Sequence, residues 1–230
     1  MKFNIICCDI PWSFDDKLTM SDVKRGAESQ YSVLNEEMLK FLPIKEIAAN
    51  DSLLCLWTPS SLLRSGLDIM SAWGFRQTQT FVWVKTKKEP FKNFIKTLSK
   101  DFTYDKVINN ISNFNFNNAM GFFMGRLFRQ THELCLIGVK GNVYKNLNNR
   151  SQRSVCFDVN LKHSAKTEIL QDRLDIMFPN ELKLEMFARR HRKGWICVGN
   201  EVDGLESNGE DIFVSIEKLK NLHDVYIGKS

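Results

Sequence analysis

No apolar run in the chain approaches the roughly 20 residues that cross a bilayer, so no transmembrane helix is expected. The amino terminus lacks the basic-then-apolar order of a signal peptide, because Asp9 arrives too soon, and a cytoplasmic location is the expectation. The six cysteines (Cys7, Cys8, Cys55, Cys135, Cys156 and Cys197) include no C-x-x-C pair and no Cys/His ligand spacing. Each lies among apolar neighbours, which suits reduced, buried thiols and excludes a zinc ribbon. His132–Glu133 has no second histidine at helical spacing, so H-E-x-x-H is absent and metal catalysis is not expected. There is no G-x-G-x-x-G loop, so spacing alone names no cofactor. Internal repeats, zinc-finger spacing and a long arginine- or glycine-rich tail are also missing.

What is present is ordinary globular composition: 230 residues, 43% hydrophobic and 26% charged. That length accommodates one large α/β domain, and a single domain over residues 1–230 is the reading adopted. The net charge of +5 permits a nucleic-acid partner without demanding one. Strand-like apolar runs occur at Phe3–Cys8, Ser52–Thr58, Gln79–Val84, Leu134–Val139, Ser154–Asp158, Lys183–Phe187 and Trp195–Val198. Several are continuous, as for strands buried on both faces. Helical patterns separate them. One lies between Pro59 and Gly74 with Leu63, Leu67 and Met70 on one face. A second runs from about Ser164 with Leu170, Leu174 and Met177, and a last from Asp211 to Leu222 with Ile212, Ile216 and Leu219. Such alternation predicts a mostly parallel seven-stranded sheet with helices on both faces. Ligands of these sheets bind at the carboxyl ends of the strands, which is where Asp9 falls.

Two stretches break the rhythm. Thr86 to Asn118 holds six lysines, three acids, seven asparagines and five phenylalanines without a clean period. It reads as an insertion at about 86–120 that recognises nucleic acid, its lysines (Lys87 and Lys88 first) meeting phosphates and its aromatics stacking or wedging. The alternative is an Asn-rich loop with incidental charge. Asn142 to Arg153 reads as a second mobile loop.

The run Phe3–Cys8 ends in Asp9-Ile10-Pro11-Trp12. Taken alone, D-x-P-W is a strand terminator with an indole packed over the sheet edge. Its functional reading starts from an exocyclic amine such as adenine N6, whose lone pair is delocalised into the ring. A carboxylate and a fixed backbone carbonyl can accept its two N–H bonds and favour a tetrahedral, reactive nitrogen. Pro11 biases Ile10 toward an extended conformation and so aims its carbonyl. Trp12 offers a face for a base to stack on. Preorganised electrostatics then carry the rate enhancement.

Three further blocks follow in order: "YSVLNEEMLKFLPIKEIA", "FMGRLFRQTHELCLIGVKG" and "HSAKTEILQDRLDIMFPNELKLEMFARRHRKGWICVGNEV". Together with the D-x-P-W strand end they resemble the METTL-type adenine-N6 methyltransferase family, over about Phe3 to Val202. The resemblance implies a Rossmann-like methyltransferase fold with the catalytic motif ahead of the cofactor motifs. It implies methyl transfer from S-adenosylmethionine to adenine N6 in DNA, double-stranded, after base flipping, with RNA as the alternative substrate. A phage or bacterial DNA-modifying role in restriction-modification goes with it. Monomer and homodimer are both left open.

By position, Asp9 and the Ile10 carbonyl would grip N6 and Trp12 would wall the pocket, with Tyr31 lining it. The family's second motif residue is usually proline, and here it is Ile10. Arg126, Arg129, His132 and Glu133 would meet the substrate strand. Cys8 and Asp9 would border the cofactor from the first strand. Lys166 would reach its methionine part, and Glu185 and Phe187 would close the first cofactor strand. Arg189 and His191 would hold the ribose and flanking groups, and Asn200 and Glu201 the ribose hydroxyls. The plainer alternatives are a strand-edge Glu185 paired with Arg189 or Arg190, and a solvated basic turn at Arg189–Lys193. A partner subunit that binds nucleic acid without catalysis keeps the fold and drops the reaction.

Overall fold

The run Phe3–Cys8 forms β1, near the middle of a seven-stranded sheet in a computed structural model. The structure describes residues 1–12, 35–89, 92–93, 96, 103–113, 115–123, 125, 127–159, 165–199, 202 and 211–227. The remaining strands are β2 (Ala48–Thr58), β3 (Arg76–Thr86), β4 (His132–Lys140), β5 (Val155–Val159), β6 (Lys183–Met186) and β7 (Ile196–Val198). All seven predicted runs are strands, in the sheet order β5-β3-β4-β2-β1-β6-β7. The sheet is parallel except for β4, which runs antiparallel to both of its neighbours, β2 and β3.

Side chains alternate across each strand, and the apolar ones divide into two cores. One face presents Ile6, Cys8, Leu54, Leu56, Leu184 and Met186. It is covered by α1 (Glu36–Lys40), α2 (Ile44–Ile47), α3 (Leu63–Ala72) and α7 (Ile212–Ile227). The other presents Ile5, Cys7, Leu53, Cys55, Trp57, Phe81, Trp83 and Cys135 against α6 (Ile169–Met177), the adjacent Phe178 and Val143. All six cysteines are buried and free, and burial pushes the Cys7, Cys8 and Cys135 thiols up.

α3 turns a different stripe inward from the one its leucines suggest. Gly66, Ile69 and Met70 are buried, whereas Leu67 is 40% exposed. A Cβ on Gly66 would lie 2.6 Å from the Thr58 methyl, so the missing side chain lets the helix backbone settle against β2. Gly74, at φ +84°, ends the helix, donating to the Ser71 carbonyl while Phe75 donates to Met70. Gly74→Ala is expected to destabilise the fold by about 1 kcal/mol, because an L side chain is strained there. Urea unfolding checks it, and an unchanged midpoint would show that the turn tolerates a Cβ.

Two segments are more ordered than their composition suggests. The stretch after β3 contains α4 (Tyr104–Asn113) and α5 (Phe116–Ala119), not a structureless loop. Tyr104, Val107, Ile108 and Ile111 have helical spacing, a period masked by the surrounding asparagines and phenylalanines. Asn142 to Arg153, expected to be mobile, is tethered. Asp51 accepts from the Asn142 N–H (2.7 Å) and pairs with Lys145, and Asn148 N–H donates to the Met177 carbonyl at 2.8 Å. Val143 is buried, and Arg173 donates to the Arg153 and Val155 carbonyls. The helix expected from about Ser164 begins at Ile169, whose N–H is accepted by the Thr167 hydroxyl; Ser164 lies outside the described residues.

Candidate active site

Strand parity brings the charged residues together. Ile5 and Cys7 point to one face of β1, and Asp9 follows them by two residues. In register, Cys7 sits beside Cys55 on β2 and Glu185 on β6, and Trp83 on β3 sits beside Glu133 on β4. Lys85 continues the Phe81–Trp83 face by two more residues. Because β4 is antiparallel, its first residues, His132 and Glu133, lie beside the carboxyl ends of β2 and β3. Asp9, Trp57, Lys85, Glu133 and Glu185 therefore line one end of one face.

At the centre is an alternating row of two acids and two lysines. Lys166 Nζ lies 2.8 Å from Asp9 Oδ1 and 2.9 Å from Oδ2, and 3.3 Å from Glu133 Oε2. The other Glu133 oxygen pairs with Lys85. Burial works against the charge on Lys166, but Asp9 and Glu133 outweigh it and hold its pKa above the ordinary lysine value. Burial likewise opposes the Glu133 charge, and Lys166 and Lys85 overcome it, leaving the carboxyl below its usual range. The Lys166 ammonium also sits 5.9 Å from the Trp57 ring centroid. Each charge in the row therefore has an opposite charge beside it, and the Asp9, Glu133 and Lys166 side chains are only partly exposed.

The rest of the strand-end motif is packed. Ile10 and Trp12 belong to the core cluster on the other face, with Ile10 2% exposed. The Trp12 indole N–H donates to the Trp57 carbonyl at 2.9 Å. That bond fixes the ring at the end of β2, the packed indole that the plainer reading of the motif describes.

The second half of the site lies at β6 and β7. Glu185 is half-buried, and its Oε1 accepts from Gln171 Nε2 on α6 at 3.2 Å. Burial raises its pKa above the usual carboxylate value in spite of the nearby Arg190, with Asp9 acting in the same direction. Phe187 is buried with a left-handed backbone (φ +57°), and a Cβ on Gly199 would lie 2.3 Å from the Ala188 carbonyl oxygen. The ends of β6 and β7 thus approach each other backbone to backbone. The basic turn between them is anchored, not simply solvated. Arg192 reaches Glu168 (3.1 Å), Asp172 (2.6 Å) and Asp175 (2.8 Å), and Arg190 pairs with Glu168. Among the described residues no three His, Cys, Asp or Glu side chains group as metal ligands.

A family model described as MT-A70 matches residues 3–111 and 106–201, spanning the strand-end motif, the acid–lysine row and Glu185. The chain belongs to the MT-A70 family. It is 25% identical over 210 residues to a rice protein named probable N(6)-adenosine-methyltransferase MT-A70-like, covering 89% of this chain and 24% of that one. It is 23% identical to the human N(6)-adenosine-methyltransferase catalytic subunit METTL3, covering 92% of this chain and 30% of that one. A third relative, the type II methyltransferase M.MunI of a Mycoplasma species, is 25% identical over 87% of this chain and 78% of its own length. This chain thus spans under a third of the N(6)-adenosine-methyltransferases and most of the type II enzyme.

Set against this family, the expected residues fall into three groups. Asp9, Glu133 and Lys166 converge, with Cys8 and Glu185 on adjacent strands; Cys8 itself is buried and offers backbone alone at the surface of the core. Lys87 and Lys88 stand exposed beyond β3, and exposed Arg129 lies over the Phe122 ring at 5.0 Å. His132 opens β4, Arg189 is half-buried and His191 is exposed in the basic turn. Tyr31, Arg126, Asn200 and Glu201 lie outside the described residues. Sequence reasoning missed Lys85, Trp57 and Gln171. The available signal was a polar residue continuing an apolar face: Lys85 after Phe81 and Trp83, and Gln171 beside Leu170 and Leu174.

Proposed function

We propose that this chain transfers a methyl group from S-adenosylmethionine to the N6 amine of adenine in DNA. The observation that carries the reading is the Asp9 carboxylate, held by Lys166 at a strand end whose next residues are Ile10, Pro11 and the fixed Trp12. Each Asp9 oxygen keeps a lone pair beyond the one directed at Lys166, so it can accept an N6–H while the ammonium holds the carboxylate in place. The Ile10 carbonyl supplies the second acceptor and Trp12 the wall. When bound, S-adenosylmethionine would supply a methyl group activated by its sulfonium, with S-adenosylhomocysteine as the leaving group. Asp9 orients the N6 nitrogen, and its Oδ atoms are placed to take the proton lost from N6. Adenine must be flipped out of a duplex to reach this position.

The residues fit the cofactor. Glu185 has one hydrogen-bond donor and a burial-raised pKa, which sugar hydroxyls donating to it would relieve. Arg189 and His191 follow on the turn, and Asn200 and Glu201 are proposed from the family motif alone. Lys166 lies between Asp9 and Glu133, and the family motif would bring the methionine carboxylate to its charge. Because the Glu185 pKa is raised in the free protein and donors favour its ionised form, cofactor binding should release a proton. Affinity should therefore fall as pH drops through the raised Glu185 value. Calorimetry in two buffers of different ionisation enthalpy measures the proton, and net uptake on acidification would overturn this role for Glu185.

DNA is favoured by the match to a type II methyltransferase most of whose length is covered; adenosine in RNA is the second reading, favoured by the names of the longer relatives. One panel decides between them: labelled methyl transfer to single- and double-stranded DNA and RNA oligonucleotides, followed by nucleoside analysis. N6-methyladenine absent from every substrate would overturn the assignment, and a scaffold without catalysis would also fail to bind the cofactor.

A further inference from the structure

Lys85 is an expensive residue to place where it is. Lysine is rarely buried without a partner, yet Lys85 is 8% exposed, on a strand face otherwise built from Phe81 and Trp83. Valine or leucine would pack there at no electrostatic cost. The surroundings compensate closely. Its ammonium pairs with Glu133, 5.1 Å from the Trp83 ring centroid and 4.7 Å from that of Phe123. Its backbone is pinned on both sides: the Lys85 N–H donates to the Thr131 carbonyl (2.8 Å) and its carbonyl accepts from Gly121 (2.6 Å). A Cβ on Gly121 would lie 2.4 Å from the Phe123 ring, so the glycine permits that ring to close over the lysine.

Among the described residues, the charged group this arrangement serves is Glu133. Glu133 is met by Lys85 from β3 and by Lys166 from the segment before α6; Asp9 stands behind Lys166 at the end of β1, and His132 is its neighbour on β4. Lys166 is nearer to Asp9 (2.8 and 2.9 Å) than to Glu133 (3.3 Å). With Lys85 satisfying half of Glu133, Lys166 is free to favour Asp9. Without Lys85, Glu133 would have Lys166 as its one remaining cation in this row and would draw it away.

We infer that Lys85 is a positioning residue of this site, fixing Glu133 so that Lys166 stays on Asp9. What is positioned rests on the methyltransferase reading; the electrostatic linkage does not. Because Gly121 and Phe123 belong to the segment after α5, closure of that segment over Lys85 also joins the candidate recognition region to Asp9.

The test uses the full chain and three substitutions: Lys85→Met, Lys85→Arg and Glu133→Gln. Lys85→Met should lower kcat about tenfold with the cofactor KM within about twofold, and Lys85→Arg should recover most of the loss. The Glu133 carboxyl, followed by 13C NMR, should titrate about one pH unit higher in Lys85→Met than in the wild type, and the acid limb of kcat should move with it. Adding Lys85→Met to Glu133→Gln should cost no more than about another twofold, because the route through Glu133 is already cut. That pair is neutral, so it decides the matter even if Lys85→Met alone does not fold. An unmoved Glu133 titration, or a double variant reduced by the product of the two losses, would overturn the inference. The titration needs no turnover, so a wild type that methylates nothing would sink the methyltransferase reading and leave Lys85 to be judged on the NMR alone.

Discussion

Asp9→Asn should lower methyl transfer about a thousandfold while leaving cofactor binding within about threefold, because the lost interaction is made to the reacting amine. The replacement keeps the shape and removes the charge. It also turns one acceptor oxygen into an NH2 donor, which would face both the Lys166 ammonium and the N–H bonds of the substrate amine. Lys166 retains Glu133 at 3.3 Å, so the row is weakened but not left uncompensated, and the fold should survive. Asp9→Ala should be no worse in kcat than Asp9→Asn, since it adds no opposing donor. Labelled transfer assays with calorimetry on the same preparations separate kcat from binding. A loss under about tenfold in Asp9→Asn would mean that the amine is gripped elsewhere.

Much of this site was legible from the order of residues, and the reason is strand periodicity. Phe3–Cys8 ends at Asp9, and the carboxyl end of a buried parallel strand is where a polar residue can reach a ligand. Glu185, near the end of β6, is legible through the family resemblance and not through periodicity. What could not be read was pairing between distant strands. The apolar run Leu134–Val139 looks identical in either direction, so nothing in it announces that β4 is antiparallel. That direction is what delivers Glu133 to Asp9 and Lys166. Lys85 was passed over for the neighbouring Lys87 and Lys88, because a lysine at a strand end is ordinarily solvated and its carboxylate partner lies 48 residues away. Ile10 departs from the family motif, and its side chain fills the core, so the position has a packing role.

The basic turn Arg189–Lys193 gives the second large effect, and there the solvated reading is corrected. Arg192→Met should destabilise the fold by about 2 kcal/mol and weaken cofactor binding. The side chain of Arg192 is 15% exposed and its guanidinium meets three carboxylates: Glu168 and Asp172, both well exposed, and Asp175, which also accepts from the Trp195 indole. Burial opposes its charge, and Asp172 and Asp175 more than compensate, so it remains charged at any accessible pH. Methionine would keep the apolar stem and remove the cation the three acids share, leaving Glu168 with Arg190 and Asp175 with Lys183 but Asp172 without its Arg192 partner. Since two of the three acids are largely solvated, the cost is set well below that of a buried unpaired charge. Salt screens the three pairs that Arg192 makes in the wild type and has fewer attractions to screen in the variant, so the gap in urea midpoint should narrow between about 0.05 and 1 M salt. The effect on binding follows from α6, which carries Asp172 and Asp175 toward the turn on one side and Gln171 toward Glu185 on the other. Loosening the helix from the turn loosens Gln171, which donates to Glu185. A gap that ignores salt would show that Arg192 acts through packing on Trp195, whose ring centroid lies 6.0 Å from its guanidinium carbon, and not through the carboxylates.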